Sequence, residues 1–259
     1  MPTCIIIRAR LTPAMLTCQG AGTVHSVFRS VVNLELSGRL LTVADAFQPD
    51  MPDTLYLPSA GMRLLRTVRE AEQAVWHHDT LTLGPIQLLL PWPVQPMPAY
   101  RPRPRSRDDA RRLLEVCESV REPSGLDRLP SPWLMRVEAS LRAYVRALRQ
   151  GEDGSRAIQD ILGLGIGATP SADDAILAVS ALLSAGRSRF PEALLQTTSA
   201  ISAKYLTCAQ DGYYAAPLTT LLDQPSPEHA RAIAGCGASS GRDMLHGLRV
   251  ACRQLIEEE

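Results

Sequence analysis

Residues 22–43 read GTVHSVFRSVVNLELSGRLLTV, and the spacing of their apolar side chains decides what the first part of the chain builds. Val24, Phe28, Val32, Leu34 and Leu36 share one parity. Successive side chains of a strand point to opposite faces, so this pattern predicts half-buried strands. His25, on the other parity, is then expected to face solvent or an interface.

Outward from this stretch, DTLYLP (53–58), TLTLG (80–84) and IQLLLPW (86–92) are short apolar runs bounded by Pro, Gly and Asp, and read as further strands. MRLLRTVREAEQAVW (62–76) breaks the pattern: Leu64, Leu65, Val68, Ala71 and Val75 are spaced for one helix face. Residues 91–107, PWPVQPMPAYRPRPRSR, have no periodicity, and proline-rich chain of this kind stays extended. Beyond them the chain reads as helical. SPWLMRVEASLRAYVRALRQG (131–151) offers Ser131 as N-cap, Pro132 in the first turn and Gly151 past the end. Further helices fit 108–120, 170–185, 191–209, 228–234 and 240–256. The expected fold is α+β: a β-rich region over 1–95, a connector over 96–107 and a helical region over 108–259.

The most unusual segment is GLGIGATPSADDAI (163–176). It lacks the G-K-[ST] of a nucleotide-hydrolase phosphate loop, and the SRAIQDIL before it looks helical, which excludes a dinucleotide fingerprint. Glycines let a backbone approach a ligand closely, and a helix start offers unpaired N–H groups that suit an anion. Thr169 as N-cap and Pro170 at the first position would mark that start. The segment has an echo. GIGATPSAD (165–173) aligns without gaps on GCGASSGRD (235–243), pairing Gly165 with Gly235, Gly167 with Gly237, Thr169 with Ser239 and Asp173 with Asp243. Two glycine turns followed by Ser/Thr caps are also ordinary helix starts, so independent capping and a shared ligand role both remain open. Asp173 and Asp243 would lie a full turn in, beyond the place of a capping-box acid. There they could interact with the helix dipole, accept hydrogen bonds from an amide or hold a divalent cation.

G-L-G-x-G-x-T-P-S-x-D-D at Gly163 to Asp174, S-S-G-x-D at Ser239 to Asp243, and V-H-S at Val24 to Ser26 followed by Asn33-Leu34 together resemble a bacterial family that includes the AllH-type subunit of oxamate carbamoyltransferase. Ala168 and Ala172 stand where that family commonly has leucine and glycine. The resemblance implies a role in carbamoyl transfer between oxalurate or oxamate and phosphate, within a multi-subunit enzyme of purine-nitrogen use. It directs attention to a ligand with an anionic end and an amide, such as carbamoyl phosphate or oxamate. On this reading Gly165, Gly167, Thr169, Ser171, Ser239, Ser240 and Gly241 bind substrate, with Ser26 and Asn33 as further polar contacts. Asp173, Asp174, Asp243 and His25 are the catalytic candidates, His25 as proton donor or anion ligand. Such transfer can proceed by positioning and charge stabilisation. Partner subunits or a homo-oligomer are implied, and magnesium is a candidate cofactor. A non-catalytic scaffold or ligand-sensing subunit is the alternative.

Other features exclude more than they suggest. Lysine plus arginine and aspartate plus glutamate balance at 27 each, so no whole-molecule field favours nucleic acid or an anionic membrane. RPRPRSR (101–107) is basic, but with aromatics at 5% of the chain it lacks a stacking surface, and a solvated linker or a contact to an acidic partner is expected. The six cysteines show no zinc spacing. Cys236, inside the second loop, is a possible nucleophile, but its echo partner Ile166 points to apolar packing. His77-His78-Asp79 reads as an exposed turn. The longest apolar run, near 175–186, is well short of the roughly 20 residues that cross a bilayer, and a cytoplasmic protein is expected.

Overall fold

The alternation of residues 22–43 appears as paired strands in the computed structural model, which describes residues 3–90, 93–184 and 188–258. Pro91, Trp92 and Ala185, at the ends of an expected strand and helix, lie outside the described residues. The chain divides into two units, Met1–Pro98 and Ala99–Glu259.

The first unit carries, among its described residues, strands β1 (Thr3–Ile5), β2 (Arg8–Arg10), β3 (Gly20–Val27), β4 (Val31–Leu36), β5 (Arg39–Asp45), β6 (Thr54–Leu57), β7 (Gln73–His77), β8 (Thr80–Leu83) and β9 (Ile86–Leu89), with short helices α1 (Pro13–Leu16) and α2 (Ser59–Leu65). They form one sheet in the order β1-β9-β8-β7-β3-β4-β5-β6-β2. The β1/β9 and β5/β6 pairs are parallel and the rest antiparallel. β1 and β2 end the order on opposite sides, yet only Ile6 and Ile7 separate them in the chain. The Ile6 N–H donates to Leu89 O of β9 at 2.8 Å and the Ile7 N–H to Tyr56 O of β6 at 2.9 Å. The two edges therefore meet along one continuous segment and the sheet curls on itself, covering edges that would otherwise be open.

Val24, Val32, Leu34 and Leu36 enter the core of this unit as their parity requires, whereas Phe28 is 44% exposed. The register of β3 on β4 slips between Val24 and Ser26, which makes His25 an extra, bulged residue and ends the alternation there. The helical expectation for 62–76 is corrected. α2 stops at Leu65, Ala71 adopts a positive φ of 64°, and Gln73–His77 forms β7. Ala74 and Trp76 alternate into the core there, so strand pairing overrides the helical spacing.

The second unit carries α3 (Arg107–Glu118), a 3-10 turn (Leu126–Arg128), α4 (Ser131–Arg149), α5 (Ser155–Ile158), α6 (Ser171–Leu183), α7 (Glu192–Leu195), α8 (Ala200–Gln210), α9 (Ala216–Asp223), α10 (Pro227–Ala234) and α11 (Ser240–Glu257). The helix expected over 191–209 is two helices, because the Ser199 hydroxyl accepts the Ser202 N–H at 3.0 Å and starts α8 afresh. α9 has no counterpart in the sequence reading. Pro130, not Ser131, occupies the cap of α4. The basic run is solvent-exposed at Arg101, Arg103, Pro104 and Ser106, as expected of a solvated linker, but it is not loose. The Tyr100 N–H donates to Gly212 O at 2.8 Å and Arg105 donates to Leu222 O, which strap the segment to the helices.

α6 is buried from Ser171 to Leu182: the run Ala175–Leu183, broken only by Ser180, is apolar all round, and the first turn takes Asp173 and Asp174 inside with it. α11 packs along it, and a Cβ on Gly247 would lie 2.5 Å from Ala175 O. That close approach, open only to glycine, sets the first turns of α6 and α11 side by side.

Candidate functional site

The two glycine loops meet. The Thr169 and Ser240 hydroxyls are hydrogen-bonded at 2.8 Å. Thr169 is free to do this because it is not the N-cap of α6. Pro170 holds the cap with φ −54° and ψ 141° and has no side-chain acceptor, so the helix begins at Ser171. α11 begins at Ser240 after Ser239, whose hydroxyl caps no N–H of the first turn. The helix starts are thus one residue out of step with the ungapped sequence echo. Asp174, rather than Asp173, occupies the helical position of Asp243.

Asp173 is committed to the architecture. Its carboxylate accepts the Gly163 N–H at 2.7 Å, the Ser202 hydroxyl at 2.6 Å and the Thr198 hydroxyl, tying the first loop to the start of α8. Burial raises its pKa and these three donors oppose the rise. Thr198 and Ser202 escaped the sequence reading. Their four-residue spacing across a helix start was the available signal.

Asp174 and Asp243 differ from it. Asp174 Oδ2, Asp243 Oδ2 and Ser171 Oγ are buried side by side with hydroxyl neighbours but complete no hydrogen bond of good geometry. Such groups are uncommon and costly to leave unmet. Burial pushes the Asp174 carboxyl well above its ordinary range, with the Ser240 and Thr169 hydroxyls opposing and Asp243 adding to the rise. Burial also raises Asp243, against the Leu126 N–H that donates to its Oδ1 at 2.9 Å, the Ser239 and Ser171 hydroxyls and the Gly125 N–H. Gly125 lies against the same cluster: a Cβ there would run into Ser171 Oγ and lie 2.9 Å from Asp243 Oδ2. The Ser124–Asp127 turn, a third wall of this cluster, also escaped the sequence reading. Its signal was the S-x-x-D spacing, seen as the Ser124 N–H donating to Asp127 Oδ2 at 2.7 Å.

The anchoring of each helix start uses some of the expected N–H donors. Ala172 donates to Leu164 O at 3.0 Å and Gly241 to Cys236 O at 3.0 Å. Among the described residues, the N–H groups from Gly165 to Thr169 have no protein acceptor, and Ile166 to Ala168 are exposed. Gly165 and Gly167 have φ of 121° and 104°, and Gly237 has 63°. Gly235 departs from the echo, being the right-handed C-cap of α10 at φ −76°. Ile166 is 68% exposed, so the expected apolar packing at that echo position is not found. The Cys236 thiol donates to Ala232 O, and burial, then Asp174, pushes its pKa up to about 11, which leaves it a poor nucleophile at neutral pH.

Three other candidates gather within the first unit. The Ser26 hydroxyl lies 3.2 Å from His25 Nδ1 and accepts from Asn33 Nδ2 at 3.0 Å, and Asn33 Oδ1 accepts from the Thr42 hydroxyl at 2.8 Å. This chain runs from an exposed bulge on β3 across β4 to buried Thr42 on β5, so V-H-S and N-L are one structural feature. His77, His78 and Asp79 form an exposed turn. Among the described residues no three His, Cys, Asp or Glu side chains converge as a metal site.

The family model described as oxamate carbamoyltransferase subunit AllH matches residues 161–252, which include both glycine loops, and that of the AllH family N-terminal domain matches residues 4–91, which include the His25–Asn33 chain. The chain belongs to the AllH family. Comparison with curated proteins finds no match, and comparison with solved structures finds none. The AllH match takes in Ser171, Asp174 and Asp243 but not Gly125 or Leu126, which complete the burial of Asp243 from outside it. No described helix of this AllH chain is long and apolar enough to cross a membrane.

Proposed function

We propose that the chain is the AllH component of a carbamoyltransferase of the oxamate type, acting with partner subunits, and that the junction of the glycine loops takes a small anionic amide or carbamoyl phosphate. The observation that carries this reading is the trio of buried atoms at the paired helix starts that complete no hydrogen bond of good geometry: Ser171 Oγ, Asp174 Oδ2 and Asp243 Oδ2. A neutral carboxyl, the form that burial favours at Asp174, presents one donor beside one acceptor. That pair complements the C=O and N–H edge of a carbamoyl group. The N–H groups of Gly165, Gly167 and Thr169, with those around Ser239, take the anionic oxygens, and Asp173 positions the first loop. Transfer then needs only orientation and stabilisation of developing charge. The His25–Ser26–Asn33 chain is a second polar feature available to the same activity, with His25 as its proton-carrying end.

Calorimetric titration of carbamoyl phosphate into the purified chain tests this, with phosphate and sulfate as controls and magnesium present or absent. Selective binding that survives in Asp174→Asn, which keeps a donor beside an acceptor, but weakens about tenfold in Asp174→Ala, the worth of the lost hydrogen bonds, supports the site. Equal binding of all three anions, unchanged in Asp174→Ala, opposes it. A strict magnesium requirement would reassign Asp174 and Asp243 to a hydrated cation, which needs few protein ligands. Selective binding without turnover, alone or with partners, would favour a ligand-sensing or scaffold role.

A further inference from the structure

A cavity of about 390 Å³ opens in the helical unit between the end of α3 and the middle of α11. Its charged lining is Glu118, Arg121, Asp127, His246, Arg249 and Arg253. Arg253 is paired with Glu118 at 2.8 Å. Arg121 and Arg249 make no ion pair or hydrogen bond among the described residues. Three guanidinium groups therefore face two carboxylates, and the two uncommitted ones share one cleft.

His246 forms the inner wall. It is 8% exposed and its Nε2 lies 3.3 Å from Glu138 Oε1, while its Nδ1 lies 3.7 Å from Asp127 Oδ1, too far for a direct hydrogen bond. Burial, then Arg249, lowers the imidazole pKa, against Asp127 and Glu138. Asp127 is held low because the Ser124 N–H and hydroxyl overcome its burial, and it stays a carboxylate. A neutral ring that donates through Nε2 to Glu138 turns an acceptor at Nδ1 toward the Asp127 carboxylate. In that tautomer two acceptors face each other, beside guanidinium groups that have no acceptor among the described residues.

We infer that this cleft is a binding site for a small carboxylate that also carries a hydroxyl or amide N–H, the carboxylate lying on Arg249 and Arg121 and the donor between His246 Nδ1 and Asp127. Planar guanidinium groups suit a carboxylate, and the volume lies in the range of small-molecule sites. Asp127 belongs to the turn that backs Asp243, but the inference does not rest on the glycine-loop reading, since His246, Arg249 and Arg121 lie outside that cluster.

The test follows the His246 ring signal by NMR, identified by its loss in His246→Gln, as glycolate, acetate or chloride is added at equal ionic strength. Glycolate, which has both a carboxylate and a donor, should give a saturable shift, with acetate at least about tenfold weaker and chloride giving none, the size expected when a buried acceptor goes unmet. Arg249→Gln and, separately, Arg121→Gln should each weaken glycolate about tenfold while the unfolding midpoint stays at the wild-type value. Absence of a saturable shift, or one unchanged in both arginine variants, overturns the site. Acetate binding as tightly as glycolate overturns the proposed ligand class.

Discussion

Thr169 and Ser240, 71 residues apart in the chain, share a 2.8 Å hydrogen bond that joins the two glycine loops. Replacing Thr169 by Val or Ser240 by Ala should each cost about 1 kcal/mol, the usual net worth of such a bond. A double-mutant cycle followed by urea unfolding should return a coupling energy of about 0.5–1.5 kcal/mol. Full additivity would mean that the loops do not support one another.

Asp173 and Asp174 are adjacent but should separate experimentally. Asp173→Ala leaves the Gly163 N–H and the Thr198 and Ser202 hydroxyls without their acceptor and should cost about 3 kcal/mol in denaturant unfolding. A cost below about 1 kcal/mol would show that the carboxylate is not the pin of the first loop.

Asp174 carries a pH dependence of definite sign. Its folded pKa is well above the ordinary 3.8, so an unfolded chain releases the proton first as pH rises. Its contribution to stability is complete below about pH 3.8 and is lost as pH climbs through the folded value. Asp173 and Asp243 are raised as well and add in the same direction. Unfolding free energy measured from pH 4 upward should fall across this window, and Asp174→Asn should flatten the slope and stabilise the protein at neutral pH. An unchanged slope would contradict the burial of a costly carboxyl.

The crossing of α6 and α11 gives a purely steric test. Gly247→Ala places a methyl 2.5 Å from Ala175 O, with buried helices on either side. Overpacking of this kind should cost about 1–3 kcal/mol, read as a lowered melting temperature. A neutral effect would mean that the helices can separate without disturbing their first turns.

Much of this architecture was legible in the sequence because it rests on local periodicity. Val24, Val32, Leu34 and Leu36 reveal their strands, and the capped, periodic segments of the second half reveal most of its helices. What escaped depends on contacts distant in sequence. β1 and β2 are only three residues each and are defined by partners in β9 and β6. β7 was hidden because Leu64, Leu65, Val68, Ala71 and Val75 mimic a helix face across a turn. At the candidate site, the echo pointed to two loops that are hydrogen-bonded to each other but mispaired their acids. Alignment matches residue names, whereas Pro170 shifts the true helix start by one and brings Asp174 into the place of Asp243. Gly125 carries no local signal of its role, since its neighbours Ser171 and Asp243 are far along the chain.

The most direct test of the glycine-loop junction is amide NMR of both loops as carbamoyl phosphate is added, with sulfate as control. The Gly165, Gly167 and Gly237 amides should move together and give one dissociation constant, and sulfate should reproduce the shifts only weakly. Shifts confined to one loop, or identical responses to sulfate, would contradict a shared site for an anionic amide.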